Sequence, residues 1–414
     1  TSLERQDGAM PKKPEEDNDS VSDIVSDDPE EAEEDEEASN DLTNADIVTK
    51  YRTAGTIANE VLAAVVAAVQ VGGKVVELCE LGDRLVEEAC SKIYNTKKGG
   101  KKVEKGTAFP TCVSLNNCVG HYSPLVSEDK MVVAEGDVVK IDLGVHVDGY
   151  IAVVAHTVLA QTGPATGRKA DVMQAAWQAA ECAQRMLKDG CTNAEITEMI
   201  ATVAESYNVN PVEGVLSHQM KKHVIDANKV IINKAAQDQV VTKATVEKND
   251  VFAIDIVMSS GDGKPKQSEL RTTVFKRNLQ EKYSLKMKAS RSFFSEVNAR
   301  FPTMPFTLRA GDERNWRMGV VECVKHDLFI EYPVLFEKEG NFVAQYKFTA
   351  MLLPSGKTAR LTFPSAPPDA TSECAIKDEQ LLELLATSTD DKKRAKKKKK
   401  KGGGGGGDGD DKDE

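Results

Sequence analysis

The alternation of apolar and polar residues divides the chain into a polar head, a long patterned body and a charged end. Apolar residues recur at helical spacing over 47–69, and the glycine pair Gly72-Gly73 predicts the end of this helix. The segment 74–94 predicts a second amphipathic helix, and two further helices are predicted over 167–188 and 194–207.

The stretch 137–154, DVVKIDLGVHVDGYIAVV, predicts two strands joined by a tight turn. Asp148-Gly149 favours a two-residue type I′ turn, which needs positive φ at both central positions. The register that follows from this turn makes Asp142 and Val153 diagonal neighbours on one face of the ribbon. A carboxylate and a valine side chain are therefore expected to face the same space.

A second copy of this pattern lies later in the chain. DVFAID at 250–255 repeats DVVKID at 137–142, with Asp255 in the place of Asp142. A repeat around two inward-facing acids predicts a pseudo-two-fold domain with a central pocket.

The partner strands of the second copy are predicted from the same alternation. Residues 251–258 and 272–276 are expected to form a ribbon through a turn near Gly261 and Gly263, and 342–353 to return to the sheet. Helices that follow strands, twice over, indicate an α+β (α/β-type mixed) fold with a mixed or antiparallel sheet.

Composition indicates the size of the core and the cellular compartment. The chain has 414 residues, of which 40% are hydrophobic, enough for a sizeable core. Its eight cysteines are scattered without zinc-binding spacing, and no signal peptide or membrane-length apolar run is visible, which favours a reducing cytosolic or nuclear setting.

The net charge of −12 comes from the head of the chain, since residues 15–46 hold 16 acids and no Lys or Arg. The remainder is mildly basic. Residues 1–46 are predicted to be disordered, and a solvated tail is favoured over a docking segment for a basic partner. Met10 is a candidate initiator, which would make residues 1–9 upstream sequence.

The rest of the chain divides further. Residues 280–335, with Met287 and Phe293 on an apolar face, are interpreted as an inserted helical or winged-helix-like subdomain within a main domain of 47–363. Residues 364–390 predict a linker and a C-terminal helix, and 391–414 a disordered polybasic and then glycine-rich acidic tail.

Five motifs in order resemble the pita-bread fold of type 2 methionine aminopeptidases. They are FPT…SLNNC…HY from Phe109, KIDLG…DG from Lys140, a single histidine before a loop, FAID from Phe252 and AQYKF from Ala344. The resemblance covers about 46–363. It implies a pocket that, in those enzymes, holds two divalent metals on two aspartates, one histidine and two glutamates.

Carried onto this sequence, the metal positions are incompletely kept. The aspartates fall on Asp142 and Val153, the histidine on His218, and the glutamates on Asp255 and Lys347. Valine offers no ligand atom and an ammonium repels cations, so the resemblance implies a pocket that has lost its metals and its peptidase chemistry. We therefore predict no catalytic residue, no metal and no other cofactor.

The residues left in this pocket are interpreted as structural. Asp142, Asp255 and Lys347 are expected to form a buried ion cluster. His218 is interpreted as a satisfied core histidine, and His121, which matches the substrate-side histidine of the enzymes, is interpreted in the same way.

The departures from the enzymes resemble a second family on this fold, the proliferation-associated, ErbB-receptor-binding proteins. The shared motifs are KIDLGVHVDG, SHQ…KHVID, SSGDGK, LKMKASRSFFSEV, MPFTLR and MGVVEC, followed by a leucine-rich helix and a lysine run. This resemblance implies a catalytically inactive scaffold that binds RNA and associates with ribosomes and pre-ribosomes. It also implies growth regulation and residence in cytoplasm, nucleus and nucleolus.

The densest charge run is the first candidate for RNA contact, since lysines gain affinity by releasing counterions from phosphates. It comprises Lys392, Lys393, Arg394, Lys396, Lys397, Lys398, Lys399, Lys400 and Lys401. A nuclear or nucleolar targeting signal and a merely solvated tail are the alternatives.

Lys286, Lys288 and Arg291 of the inserted region form the second candidate, against an ordinary polar face as the alternative. The lysine-rich loop 95–105 is a third basic patch.

The leading hypothesis is a non-enzymatic regulator of translation, transcription and ribosome biogenesis that binds ribosomal or messenger RNA. One alternative is a residual metal-dependent methionine aminopeptidase. Another is a transcriptional corepressor or signalling adaptor that binds proteins through the LxxLL pattern Leu381, Leu384 and Leu385, although simple packing of that helix is favoured. No membrane insertion is expected.

Overall fold

The structure is a computed structural model that describes residues 38–96, 102–236, 241–363 and 367–389. The helices are α1 Ala45–Ala68, α2 Val75–Ser91, α3 Gly167–Met186, α4 Asn193–Ser206, α5 Lys288–Arg300, α6 Glu313–Lys325 and α7 Glu379–Ala386. Among the described residues, no helix combines the length and the apolarity that crossing a bilayer requires.

The strands range from two residues to eleven residues in length. They are β1 Lys105–Leu115, β2 Cys118–Gly120, β3 Asp137–Val147, β4 Tyr150–Ala160, β5 Asn210–Pro211, β6 Leu216–Met220, β7 Val230–Ile232, β8 Val251–Ser259, β9 Lys266–Gln267, β10 Val274–Arg277, β11 Phe306–Thr307, β12 Phe329–Tyr332, β13 Leu335–Phe336, β14 Val343–Leu352 and β15 Thr358–Arg360.

A nine-stranded antiparallel sheet organises these elements. Its main path runs β1-β3-β4-β14-β8-β6-β7, with β15 beside β14 and β5 beside β8. Helices and an antiparallel sheet in one domain confirm the predicted α+β class.

The predicted hairpin is confirmed. β3 and β4 pair over their full length, with Asp142 opposite Ala155. Asp148 and Gly149 both have positive φ, 55° and 78°, as a type I′ turn requires.

The two halves of the sheet meet where β4 lies beside β14, with one direct residue pair at Lys347. A buried threonine bridges the strands on each side of it. Thr349 Oγ1 accepts from Val153 N at 2.8 Å and donates to Val153 O at 3.0 Å. Thr157 Oγ1 accepts from Gln345 N at 2.8 Å and donates to Gln345 O at 2.7 Å. Side chains therefore hold the halves together around Lys347.

The predicted second ribbon is partly wrong. β14 returns to the sheet as expected and pairs with β8 from Val251 to Ser259. However, β10, which covers most of 272–276, pairs with β11 and β12 in a separate three-stranded sheet. The nine-residue β8 gains a full-length partner only from the distant β14, so long-range pairing overrides the local turn signal.

Two helix pairs cover one face of the sheet. α1 packs against β3 and β4, for example at Leu143, with α2 beside it on β1, while α3 packs against β8 and β14, for example at Ile254, with α4 beside it on β5 and β7. Because successive strand residues point to opposite faces, the residues between these positions project from the uncovered face. That set includes Asp142, Val153, Asp255 and Lys347.

The inserted region contains α5 and α6 packed on the three-stranded sheet around the buried Phe293 and Trp316. Met287, predicted for its apolar face, is instead 49% exposed. The reason is that Met287 is the N-cap of α5, where its backbone N–H donates to Glu322 at 3.0 Å and keeps the residue at the rim. The domain limits of 47–363 and 280–335 stay predictions.

The C-terminal helix α7 packs against α3. Leu381 is 8% exposed, and Leu384 and Leu385 lie half-buried against the same core, whereas Leu382 is 47% exposed. In this position the three leucines of the LxxLL pattern contact the core, and their role as a partner motif stays a prediction.

Candidate functional site

A cavity of about 240 Å³ lies on the face of the sheet that the helix pairs leave uncovered. Strands β3, β4, β8 and β14 supply its floor, and β6 and Tyr332 are among its walls. All six positions that the sequence assigned to a vestigial site line this cavity: His121, Asp142, Val153, His218, Asp255 and Lys347.

The ammonium of Lys347 stands between the two carboxylates. Its Nζ lies 2.6 Å from Asp142 Oδ2 and 3.1 Å from Asp255 Oδ2. All three side chains are buried, with no more than 11% of any of them exposed. The predicted ion cluster is therefore present, with two negative charges against one positive charge.

Gln345 is a fourth member of this cluster that the sequence reasoning missed. Its Nε2 donates to Asp255 Oδ1 at 2.9 Å and Oδ2 at 3.1 Å, and reaches Asp142 Oδ2 at 3.5 Å. It lies two residues before Lys347 on β14, so the period of two of a strand places both side chains on one face. That period was the signal that could have found it.

Burial and charge act against each other on the ionisable groups of the cluster. Burial raises the pKa of Asp255, while the positive charge of Lys347 opposes the rise. Burial disfavours the charge of Lys347, but Asp142 and Asp255 overcome this and raise the pKa of Lys347 above its ordinary value. The lysine is therefore held as a cation.

The two histidines of the cavity are neutral. Burial, aided by the nearby positive charge of Lys347, lowers the pKa of His121 and of His218 to about 4. His121 Nδ1 lies 3.2 Å from Pro333 O, and its ring packs against Phe109 and Tyr332. For His218 Nδ1, by contrast, the described residues supply no hydrogen-bond partner, so the prediction of a satisfied core histidine is wrong there.

These residues do not fit a pair of divalent metals. One oxygen of each aspartate, Oδ2, already bonds to the Lys347 ammonium, which would repel a metal ion, and Val153 supplies no ligand atom. Within the described ranges, no group of three or more His, Cys, Asp or Glu side chains is arranged to hold a metal ion. The geometry thus offers an ion cluster where the chemistry of a dimetal peptidase needs free carboxylates.

The candidate RNA contacts lie elsewhere. Lys286, Lys288 and Arg291 are exposed at the start of α5. The nine charged residues of the 392–401 run lie outside the described residues. In the 95–105 loop, residues 97–101 also lie outside, Lys102 is exposed, and Lys105 Nζ donates to Ile93 O and to Asn95 Oδ1.

The comparison with family models places much of the chain in one family. Residues 49–275 match metallopeptidase family M24. This range contains Asp142, Val153, His218 and Asp255 but not Lys347.

Several relatives resemble the chain over most of their length. ERBB-3 binding protein 1 of Arabidopsis thaliana is 50% identical over 316 residues, which cover 76% of this chain and 80% of that protein. Proliferation-associated protein A of Dictyostelium discoideum is 42% identical, with 84% and 90% covered. The curved DNA-binding protein of Schizosaccharomyces pombe is 38% identical, with 84% and 91% covered.

Solved structures agree with the fold. A thermophilic Arx1 superposes with a TM-score of 0.78 at 31% identity, covering 84% of this chain and 99% of that one. The methionine aminopeptidase of Thermotoga maritima superposes with a TM-score of 0.52 at 17% identity, covering 78% and 99%, which confirms the pita-bread fold alone.

Proposed function

Since the chain belongs to metallopeptidase family M24, among the relatives named ErbB-3 binding and proliferation-associated proteins, we propose that it is a non-enzymatic, RNA-binding regulator that associates with ribosomes and their precursors. On this proposal it acts in growth, translation and transcription, and it resides in cytoplasm, nucleus and nucleolus. The fold is a scaffold for binding.

One observation carries the non-enzymatic part of this proposal. The Lys347 ammonium bonds to both Asp142 and Asp255, the two carboxylates that a catalytic metal would need. A metal ion would have to displace a buried cation that has both partners within 3.1 Å, and it would find no ligand at Val153. Metal-assisted hydrolysis needs an activated water on such an ion.

The RNA-binding part rests on charge and on a relative. The exposed Lys286, Lys288 and Arg291, together with the lysine run of 392–401, offer cations for phosphates. A fission-yeast relative is named for binding curved DNA, which is consistent with a nucleic-acid partner. Ribosome association is the expectation that the family resemblance supplies.

The enzyme question is tested on the purified chain. Metal content is measured after dialysis against cobalt, manganese or iron(II), and turnover is measured with a Met-Ala-Ser peptide. We expect substoichiometric metal and no turnover above a blank. A stoichiometric ion with turnover that disappears on changing His218→Ala would establish a residual aminopeptidase instead.

The RNA question is tested by the salt dependence of binding to a structured ribosomal RNA fragment. Deleting 392–401 and changing Lys286, Lys288 and Arg291 to Ala should weaken binding and flatten the slope of log K against log salt, because each phosphate contact contributes about 0.7 to 0.9 to that slope.

Deletion of 402–414, which removes the glycine and acidic end but keeps the lysine run, is the matched control. Unchanged affinity and slope in the deleted and neutralised variant would contradict RNA binding through these residues.

A further inference from the structure

An exposed apolar patch lies among the cations of the inserted region. Met287, Met318 and Val321 are 49%, 47% and 61% exposed. Few large apolar side chains on the described surface are as exposed as Val321, and isolated ones need no explanation. These three side chains lie together, and an exposed apolar cluster does need an explanation.

Their proximity follows from two contacts. Met318 and Val321 are one turn apart on α6, so they share one side of that helix. Glu322, the next residue, turns its carboxylate inward and accepts from Lys286 N at 2.8 Å and Met287 N at 3.0 Å. These hydrogen bonds hold the start of α5, and with it Met287, beside Met318 and Val321.

Positive charge surrounds this patch. Arg314 and Lys325 continue the stripe of Met318 and Val321 along α6, one turn before and one turn after, and both are exposed. At the start of α5, Lys286, Lys288 and Arg291 are exposed, and Arg291 Nη1 donates to Lys286 O at 2.6 Å. We name the whole set the Met318 face: Lys286, Met287, Lys288, Arg291, Arg314, Met318, Val321 and Lys325.

The structure shows the cations of the Met318 face without acidic partners among the residues that it describes. Within the part of the chain that the structure describes, none of its five Lys and Arg side chains forms an ion pair. The carboxylate of Glu322 is occupied by the two backbone N–H groups. The face therefore offers an apolar centre and a rim of five cations that form no ion pair within the described ranges.

We propose that the Met318 face docks an acidic amphipathic helix of a partner protein. Residues 314 to 325 span about 17 Å along α6, which matches about three turns of a second helix. Two apolar residues one turn apart on that helix would pack on Met318 and Val321, and flexible methionine adapts to such contacts. Carboxylates on its flanks would face the cations, which sets orientation and excludes basic partners.

Neither RNA nor a lipid bilayer accounts for the apolar centre of this basic surface. The Met318 face carries no aromatic side chain on which bases could stack, and phosphates gain nothing from an apolar centre. Its apolar area is small for insertion among lipid tails, because the opposite side of α6 is buried at Trp316, Val320 and Cys323. The proposal shares Lys286, Lys288 and Arg291 with the RNA-binding proposal above, but its apolar centre at Met318 and Val321 is not used by that proposal.

The test uses the full chain and two synthetic, fluorescein-labelled helical peptides of about four turns. One carries two leucines one turn apart among glutamates, and the other has the same composition with the leucines on opposite sides. We expect fluorescence anisotropy to show at least about tenfold tighter binding of the first peptide, a difference of about 1.4 kcal/mol. Hydrogen exchange should slow over 314–325 in its presence.

The matched variants locate this binding. Changing Met318→Ser together with Val321→Ser should remove the difference between the peptides and leave thermal unfolding unchanged. Changing Val71→Ser together with Val132→Ser, two valines that are 52% and 49% exposed, should keep the difference.

Three results would overturn the proposal. The first is equal affinity of the chain for the two peptides. The second is that the Met318/Val321 variant binds the first peptide as tightly as the unchanged chain does. The third is that this variant keeps its affinity for the peptide but loses about tenfold in affinity for single-stranded RNA or for phosphatidylserine vesicles. Each leaves the effect of deleting 392–401 on RNA binding intact, so the failure of this inference is distinguishable from the failure of the proposed function.

Discussion

The cavity cluster and the Met318 face both place lysine among apolar residues, and they differ in where the partners of the lysine lie. Lys347 finds two carboxylates within 3.1 Å inside its own chain and is 10% exposed. Lys286 and Lys288 are exposed, with no acidic partner among the described residues. The charge of Lys347 is therefore paired within the fold, whereas the charges of Lys286 and Lys288 stay open to a partner outside the described residues.

The largest expected effect comes from breaking the closed cluster. Lys347→Met leaves two buried carboxylates uncompensated and should lower the free energy of unfolding by about 3–5 kcal/mol, measured by urea denaturation. Lys338→Met is the control, because the ion pair of Lys338 with Asp262 is exposed to solvent and its loss should change stability little.

A double variant tests whether the loss in Lys347→Met comes from the uncompensated charge of the carboxylates or from the changed side-chain packing. Adding Asp142→Leu to Lys347→Met removes one of the stranded carboxylates and should recover part of the loss. Equal, small losses for Lys347→Met and Lys338→Met would mean that the cluster is open to water and that the contrast with the surface fails.

The C-terminal helix tests the same contrast within one element. Leu381→Ala should cost about 2–3 kcal/mol of unfolding free energy, because Leu381 is 8% exposed and its loss leaves a cavity against α3. Leu382→Ala, at a position 47% exposed, should change stability by less than about 0.5 kcal/mol. A neutral Leu381→Ala would instead favour the LxxLL pattern as a docking motif.

The buried histidines of the hairpin give a pH dependence that surface histidines would not. Burial lowers the pKa of His156 to about 4, and burial with the nearby His223 does the same for His146. Each binds a proton in the unfolded chain below about pH 6.5 but not in the folded one, so stability falls as pH falls from 6.5 toward 4.

Between pH 7 and pH 5 this amounts to about 2 kcal/mol for each histidine. Urea denaturation at both pH values should show a loss smaller by about that amount in His156→Gln. An identical pH dependence in the variant and the unchanged chain would show that His156 is accessible to protons in the folded state.

The smallest expected effect lies on the open side of the comparison. Lys286→Ala with Lys288→Ala should change the unfolding free energy by less than about 0.5 kcal/mol, since both side chains are exposed and form no ion pair within the described ranges. A loss of several kcal/mol would mean that these lysines serve the fold and are poor candidates for binding partners.

Much of the site could be predicted because it depends on period and register. The turn at Asp148-Gly149 determined the pairing of β3 with β4, and the repeat of DVVKID as DVFAID placed Asp255 by analogy with Asp142. Gln345 was not predicted because a neutral amide is not among the metal ligands of the enzymes, although Gln345 lies on the same strand face as Lys347.

The errors have a common physical cause, since each concerns contacts between residues far apart in the chain. β10 is absent from the nine-stranded sheet because β8 pairs along its full length with β14, which lies far along the chain. Met287 reached the surface because Glu322, on the next helix, holds its backbone N–H. Likewise, the sequence had no means to show that the described residues leave His218 Nδ1 without a partner.

The sequence by itself determined the main helices, the hairpin register and six of the residues around the central cavity, because strand alternation and turn chemistry act between neighbours. Together with the family resemblance, it also predicted that a valine and a lysine stand at two of the metal-ligand positions. Only the tertiary structure decided that Lys347 bonds to both carboxylates and that an apolar patch meets the cations of the inserted region. Those outcomes depend on which distant segments come within hydrogen-bonding distance, and that is a property of packing.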